Sequence, residues 1–397
     1  WFAAQPANDK KALLLRKRRN MPIYVDALES QGLTVDVVGL GGLLELPEVT
    51  DLVCALRVVQ YPSAGSQLLR LLAGPRWRLG VADIAGLARF AKHAAKYVDG
   101  GLGGTHEDGV APEDAASIVD ALDLLREEYH QRKIAAWVSD RGLIRLIDAA
   151  ELFARLRQRT GMGLVEFARL TTEELWLDIE VAANPLRKQP MRHLNAFANV
   201  MAGFAASTNS ASLGAFLDWL DFAESREKLE VPSVTPEPGV IQVMTVHAAK
   251  GLQWDHVAIG NLIDKDFPSD PSRSGDWLRS GQLPYALRGD RDSLPQWNYL
   301  SCQTGKDADT ALAEFKADSR EHALREERRL IYVAVTRPKR SLLLVGSYWK
   351  PGSDKPRLPS QYLIEAAQHL GLPEFKPTEL EENPLNDRPA VQWPLPP

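Results

Sequence analysis

The order of apolar and polar positions divides the chain into three stretches. Ala12 to Leu15 is an apolar run bounded by basic residues, the pattern of a short buried strand. Pro22 to Ser30 has helical spacing and ends near Gly32. Thr34 to Val38 alternates toward a strand, and Gly39 to Gly42 reads as a glycine-rich turn. Pro47 opens another helix, with Glu48 and Asp51 in its first turns, where the helix dipole favours acids. Strand, helix, strand, helix predicts an α/β layer. From about Leu68 to Leu229 helical spacing dominates, as in Ile118 to Leu125 and Leu143 to Phe153, interrupted by a polar loop from Asp99 to Pro112. Three prolines between Val231 and Gly239 mark a boundary. Strands are then expected at Val240 to Val246 and His256 to Ile259, and a polar surface loop from Asp264 to Leu300. A long helix is expected from Ala311 to Val335, stopped by Pro338 and followed by a strand at Ser341 to Val345. The expected architecture is one α/β domain with a parallel sheet, interrupted by a mostly helical inserted domain. Its boundaries fall at 1–67, 68–230, 231–350 and a C-terminal extension or linker at 351–397.

With 397 residues, 45% apolar and 25% charged, the chain has the composition of an ordinary globular protein large enough for two or three cores. No apolar run approaches the roughly 20 residues that span a bilayer, so no membrane partner is expected. Cys54 and Cys302 form neither a metal spacing nor a disulfide framework; no metal site is expected, and a reducing cytoplasm is the simplest compartment. The chain opens on Trp1-Phe2-Ala3-Ala4 with no initiator Met and reads as a fragment. A net charge of −5 does not announce a nucleic-acid binder, but six of the ten residues from Lys10 to Arg19 are Lys or Arg. That run fits either a solvated basic face or a phosphate-binding patch.

Two segments carry candidate chemistry. In Val243 to Asp255 a strand runs into a loop holding Thr245, His247, Lys250 and Gly251. Ligands of open α/β sheets bind beyond the carboxyl ends of strands. Gly251 allows close backbone approach, and Lys250 offers a point charge to a phosphate. The plain alternative is a polar loop with a helix-starting lysine. In Glu326 to Arg337 a helix ends on Arg337, immediately before Pro338. A planar, permanent cation at a domain edge suits an arginine finger on a transferring phosphoryl group. It equally suits the negative end of a helix dipole.

Taken together, the two segments resemble motifs V and VI of superfamily 1 helicases of the UvrD, Rep and PcrA type. Thr245, His247, Ala249, Lys250, Gly251 and Leu252, with Phe267-Pro268 downstream, follow the first motif; Glu326 to Arg337 follows the second. The resemblance extends to Leu14-Leu15-Arg16, to Glu48-Val49-Thr50-Asp51 with Leu56-Arg57, and to Pro75 to Gly80. It implies the second of two RecA-like domains, the P-loop NTPase fold, which sandwich ATP while single-stranded DNA crosses their tops. By resemblance Arg337 is the catalytic finger. Lys250, Gly251 and Gln253 lie near the nucleotide. Thr245 and His247 lie between nucleotide and DNA, and Arg16 contacts the DNA backbone. Arg76 and Arg78 touch duplex, whereas Trp77 belongs to the core.

The chain departs from the family in four places. Gln253 stands where relatives have Glu, which still accepts a hydrogen bond. Leu43 and Leu44 stand where relatives carry aromatics, removing stacking of about 1–3 kcal/mol per base. No G-x-x-x-x-G-K-[ST] occurs, so ATP and Mg²⁺ would be held mainly by a missing N-terminal RecA-like domain, and this fragment alone should hydrolyse no ATP. The family's Q-N-Y-R segment is missing too. Val391 to Pro397 resembles the linker after the motor in bacterial motor–nuclease proteins, which carry a RecB-like nuclease domain or subunit. The resemblance thus implies part of an ATP-dependent translocase and helicase, of 3′ to 5′ polarity, in DNA repair or recombination. The alternative is a degenerate motor serving as a DNA-binding or scaffold subunit of a helicase–nuclease complex.

Overall fold

The computed structural model describes residues 1–99, 117–185, 187–208, 211–226, 237–271, 283–350, 353–373 and 383–385. All but Asp99 of the polar loop expected at Asp99 to Pro112, most of the proline boundary after Val231 and the segment from Val391 lie outside them. Five strands occur among the described residues: β1 (Lys11–Leu15), β2 (Val35–Val37), β3 (Ile241–Thr245), β4 (Trp254–Ile259) and β5 (Pro338–Leu344). The chain divides into two compact units, Trp1–Met21 with Val231–Pro397, and Pro22–Glu230.

The first unit is α/β. Its strands β3, β1, β4 and β5 lie side by side in that order, all parallel. Lys11 pairs with Ile241 on one side and His256 on the other, and Leu15 with Thr245. All five residues of β1 are buried, which explains its unbroken apolar run: a central parallel strand is covered on both faces. Trp254 is fully buried, and its indole N–H donates to Gln242 Oε1 at 2.7 Å. β5 begins at Pro338, earlier than its apolar residues suggest, because Pro338 opens an edge strand where a missing N–H costs no ladder bond.

This unit's long helix spans Gly305–Val335 and also starts earlier than its apolar spacing indicates. Thr304 and Asp307 form a capping box there, each side chain bonding the other's backbone N–H. A second helix, Gln361–His369, is capped by the Ser360 hydroxyl.

Among its described residues the second unit is helical apart from β2. After α1 (Met21–Glu29) and β2, the segment expected to be a glycine turn forms one helical turn instead, α2 (Leu40–Leu43). Gly39, at φ 99, reverses the chain into it, and buried Gly41 and Gly42 let it pack on later helices of the unit. There follow α3 (Pro47–Gln60), α4 (Gly65–Ala73), α5 (Val81–Asp99), α6 (Ile118–Leu124), α7 (Glu128–Ile134), α8 (Asp140–Arg157), α9 (Leu164–Glu174), α10 (Leu177–Ala182), α11 (Arg192–Ser207) and α12 (Leu213–Arg226). α3 begins with Pro47 at its first turn and Glu48 behind it, as its sequence predicts. Trp77, only 2% exposed, packs against Phe153 of α8 with ring centroids 5.8 Å apart. The unit also buries Glu29, Glu48 and His193 beside Arg187. Arg187 Nε lies 2.7 Å from Glu29 and its Nη1 donates to Glu48 at 3.1 Å, while His193 Nδ1 is 2.9 Å from Glu48.

Candidate functional site

The site grows from the carboxyl ends of β1 and β3. Val246 N–H donates to Leu15 O at 2.9 Å, so the loop after β3 starts against the end of β1. Thr245 Oγ1 accepts from Ala248 N–H at 3.3 Å. Tight turns follow, with Ala249 N–H on Val246 O, Lys250 N–H on His247 O and Leu252 N–H on Ala249 O. Val246 and Ala249 anchor the loop in the core, whereas His247, Lys250, Gly251 and Gln253 are exposed. Gly251 has φ +85, and a Cβ built there would meet no atom within 4 Å. Glycine is therefore required by backbone conformation, and the open space above it remains available to a ligand.

Arg337 reaches this loop from the end of the long helix Gly305–Val335. Its Nη1 donates to Leu252 O at 3.1 Å, its Nε to Val333 O at 2.8 Å and its Nη2 to Thr336 Oγ1 at 2.8 Å. Trp254 N–H donates back to Arg337 O at 3.2 Å. The half-buried side chain thus folds over the helix end rather than projecting from an edge. The cause is the helix terminus, whose last carbonyls lack intrahelical donors and attract a cation. Arginine has five N–H donors, and three are engaged among the described residues.

Arg16 follows β1 and is held by Glu327 of the same long helix. Its Nε lies 3.0 Å from both carboxylate oxygens and its Nη2 2.6 Å from Oε1; the side chains are 24% and 10% exposed. Ser269 N–H donates to Glu327 Oε2 at 3.1 Å, which draws in the segment after Phe267-Pro268. Asp266 collects Lys17 at 2.6 Å, Arg19 at 3.7 Å, Asn20 at 3.1 Å and Asn261. The basic run is therefore neither a plain solvated face nor a bare phosphate patch: Lys11 is buried, and Arg16, Lys17 and Arg19 have acidic partners. Burial pushes the nearby Tyr362 phenol up to about 12, with the Glu327 charge adding to it.

Six of the expected site residues, Thr245, His247, Lys250, Gly251, Gln253 and Arg337, thus share one locality, with Arg16 on the adjoining strand end. Arg76 and Arg78 belong to the other unit. Arg76 stacks on Trp176, with its guanidinium carbon 3.4 Å from the ring centroid, and lies 3.6 Å from Asp148. Arg78 is exposed at φ 48, its Nε donating to Pro75 O at 3.1 Å. Leu43 is buried and Leu44 half-buried. Sequence reasoning did not single out Glu327 as the partner of Arg16, Asp266 as the hub for the basic run, or Trp176. Glu327 stands inside the matched motif; nothing local marks Asp266.

A family model for the UvrD-like helicase C-terminal domain matches residues 3–348. Among curated proteins the chain is similar to an ATP-dependent helicase/nuclease subunit of Enterococcus faecalis, 23% identical over 346 residues, covering 85% of this chain and 24% of that protein. It is similar to the ATP-dependent helicase/nuclease subunit of the same name from Streptococcus suis, 26% identical over 358 residues, 86% of this chain and 26% of that one. It is also similar to the exonuclease/helicase protein RexA of Lactococcus lactis subsp. cremoris, 24% identical over 343 residues, 84% of this chain and 26% of that one. The chain spans about a quarter of the length of these relatives. The match to the family model runs through both motif segments, and the chain belongs to the UvrD-like helicase C-terminal domain family.

Proposed function

We propose that this chain supplies the second nucleotide-facing surface of an ATP-driven DNA motor working within a helicase–nuclease complex. The observation that carries the reading is the bond from Arg337 Nη1 to Leu252 O. It joins a permanent cation to the loop that exposes Lys250, Gly251 and Gln253. A phosphoryl-transfer site needs such a grouping: a cation for the charge developing on the transferring group, beside backbone that a nucleotide can approach closely. Arg337's two remaining N–H donors suit the γ-phosphoryl oxygens. Lys250 and the open face of Gly251 suit the nucleotide, and Gln253 offers an amide to its sugar. Mg²⁺, when bound with ATP, neutralises phosphate charge, and the P-loop that would hold both belongs to a partner RecA-like domain.

Thr245 lies on the strand that feeds the loop, and His247 within it. In this reading they pass loop movement to a DNA strand, with Arg16 as a backbone contact set by Glu327. Arg76 and Arg78 act on duplex from the helical unit. The domain division at 1–67, 68–230, 231–350 and 351–397 is the corresponding functional partition. The relatives' names, helicase/nuclease and exonuclease/helicase, support a nuclease partner; in this reading the pair processes DNA in the cytoplasm. No described helix is long and apolar enough to cross a membrane.

The second reading, a degenerate motor used as a DNA-binding scaffold, draws on Leu43. Its buried side chain offers no stacking face. ATP hydrolysis by the full-length protein, with and without single-stranded DNA, separates the two. DNA-stimulated turnover is expected from a motor; a folded protein without turnover leaves the scaffold.

A further inference from the structure

Trp176 is 53% exposed and stands in the left-handed region, φ 62, just before α10. A bulky side chain is uncommon there and adopts it at a cost in strain. A tryptophan serving only the core would offset that cost by burial. Here one ring face is covered by Arg76 at 3.4 Å from the centroid. Arg76 in turn sits 5.9 Å from the buried Trp77 ring and 3.6 Å from Asp148, whose Oδ2 also accepts the Trp77 indole N–H at 2.8 Å. The result is a stack built outward from the core: Trp77, Arg76, Trp176. Its last ring meets solvent.

The turn that holds Arg76 carries further cations. Arg78 is exposed on the same turn as Arg76, and Arg145 of α8 donates from Nη1 to Arg78 O at 3.0 Å. Of the acids of α10, Asp178 Oδ1 is buried with no hydrogen-bond partner among the described residues, and the Glu180 carboxyl is pushed up, first by burial and then by the charges of Asp51 and Glu48, so that it carries its charge less readily. An exposed aromatic face pre-set by a guanidinium, with a second arginine on the same turn as that guanidinium and a third bonded to the turn, has the chemistry that recognises an unpaired nucleotide. Every base presents a π-face, and each phosphate calls for a cation. An apolar peptide would use the ring but leave the arginines without counter-charges.

We infer that Trp176 is a stacking platform for the first unpaired base of single-stranded DNA beyond the duplex, with Arg78 and Arg145 placed for the phosphates at that junction. The inference rests on the DNA-motor reading and adds to it a contact outside the nucleotide-facing loop.

The test uses the full-length protein with Trp176→Ala, Trp176→Leu and Trp176→Phe, and a fork of duplex with single-stranded tails. Binding is measured by fluorescence anisotropy and by photocrosslinking from 5-iododeoxyuridine in the tails. The Ala and Leu variants should bind about 5- to 150-fold more weakly, and Phe, which keeps a π-face, within about threefold of wild type. The crosslink should map to the peptide carrying Trp176 and disappear in Ala and Leu. Arg78→Gln should reduce the slope of log affinity against log salt by about 0.7. If the Ala variant melts early, the Leu and Phe comparison decides. Wild-type affinity in Leu, with no crosslink at this peptide, overturns the platform while leaving the motor reading intact. Absence of DNA binding by wild type overturns both. Loss of binding to a protein partner, with DNA binding unchanged, assigns the face to that partner and overturns the proposal.

Discussion

Replacing Glu327 with Gln should loosen the seam between β1 and the long helix without unfolding the protein. The carboxylate receives Arg16 Nε at 3.0 Å, Arg16 Nη2 at 2.6 Å and Ser269 N–H at 3.1 Å. An exposed pair of this kind contributes at most about 1 kcal/mol, whereas breaking a fully buried one costs about 3–5 kcal/mol. With Arg16 a quarter exposed and Glu327 a tenth, the cost falls between, near 2 kcal/mol. Gln keeps the shape and one acceptor, so Ser269 retains its bond and the loss comes from the charge on Arg16. Hydrogen–deuterium exchange of the full-length protein reads this directly. The amides of residues 11–15 and 320–335 should exchange about 30-fold faster, those of α8 unchanged. Arg16→Met combined with Glu327→Leu should cost less than the sum of the two single changes, by about 1.5–2 kcal/mol. Exchange within threefold of wild type, or strict additivity, would refute the seam.

Gly251→Ala should lower kcat/KM for ATP while shifting the melting temperature little. At φ +85 an L-residue is strained by about 1–2 kcal/mol locally, yet its Cβ meets no atom, so steady-state kinetics beside a melting curve separate strain from clash. Trp77→Ala should destabilise the helical unit by about 3–5 kcal/mol, read from chemical denaturation, because a fully buried ring and its bond to Asp148 are both lost. Glu29→Gln should raise stability at neutral pH. Burial pushes the Glu29 carboxyl up, with Arg187 and His193 offsetting only part of the shift. Its cost is therefore absent in acid and grows as pH rises from the ordinary glutamate value through the raised one. Glu48 works the other way. Burial alone would raise it, but the His193 hydrogen bond and the Arg187 charge outweigh burial and hold it low. Its stabilisation is present above the ordinary value and lost as pH falls through the depressed one. A melting-temperature gap between Glu29→Gln and wild type that does not widen from pH 4 to 8 would contradict this.

The strands and most helices were legible because their burial is written in short-range pattern: the apolar run of β1, Pro47 before Glu48, the periodic face of α8. Boundaries were missed where polar chemistry sets them. The long helix starts at a capping box, Thr304 with Asp307, rather than at its first apolar residue. Gly39 to Gly42 looked like a turn because glycine propensity opposes helix, and packing of Gly41 and Gly42 overrode it. The motif residues were legible as types in order. Their partners were not: Arg337 bonds Leu252 across 85 positions and Arg16 meets Glu327 across 311, and no local pattern encodes either pairing. Trp176 escaped for a related reason, since its meaning lies in Arg76 stacked above it.

Whether Arg337 acts on ATP is decided by the single-stranded-DNA-stimulated kcat of the full-length protein beside Arg337→Ala and Arg337→Lys, with DNA affinity measured in parallel. A loss of about 1,000-fold or more in kcat for both variants, with DNA affinity within about threefold of wild type, is the predicted result. A kcat within about tenfold of wild type in Arg337→Ala would leave Arg337 as a cap on its helix, without a part in hydrolysis.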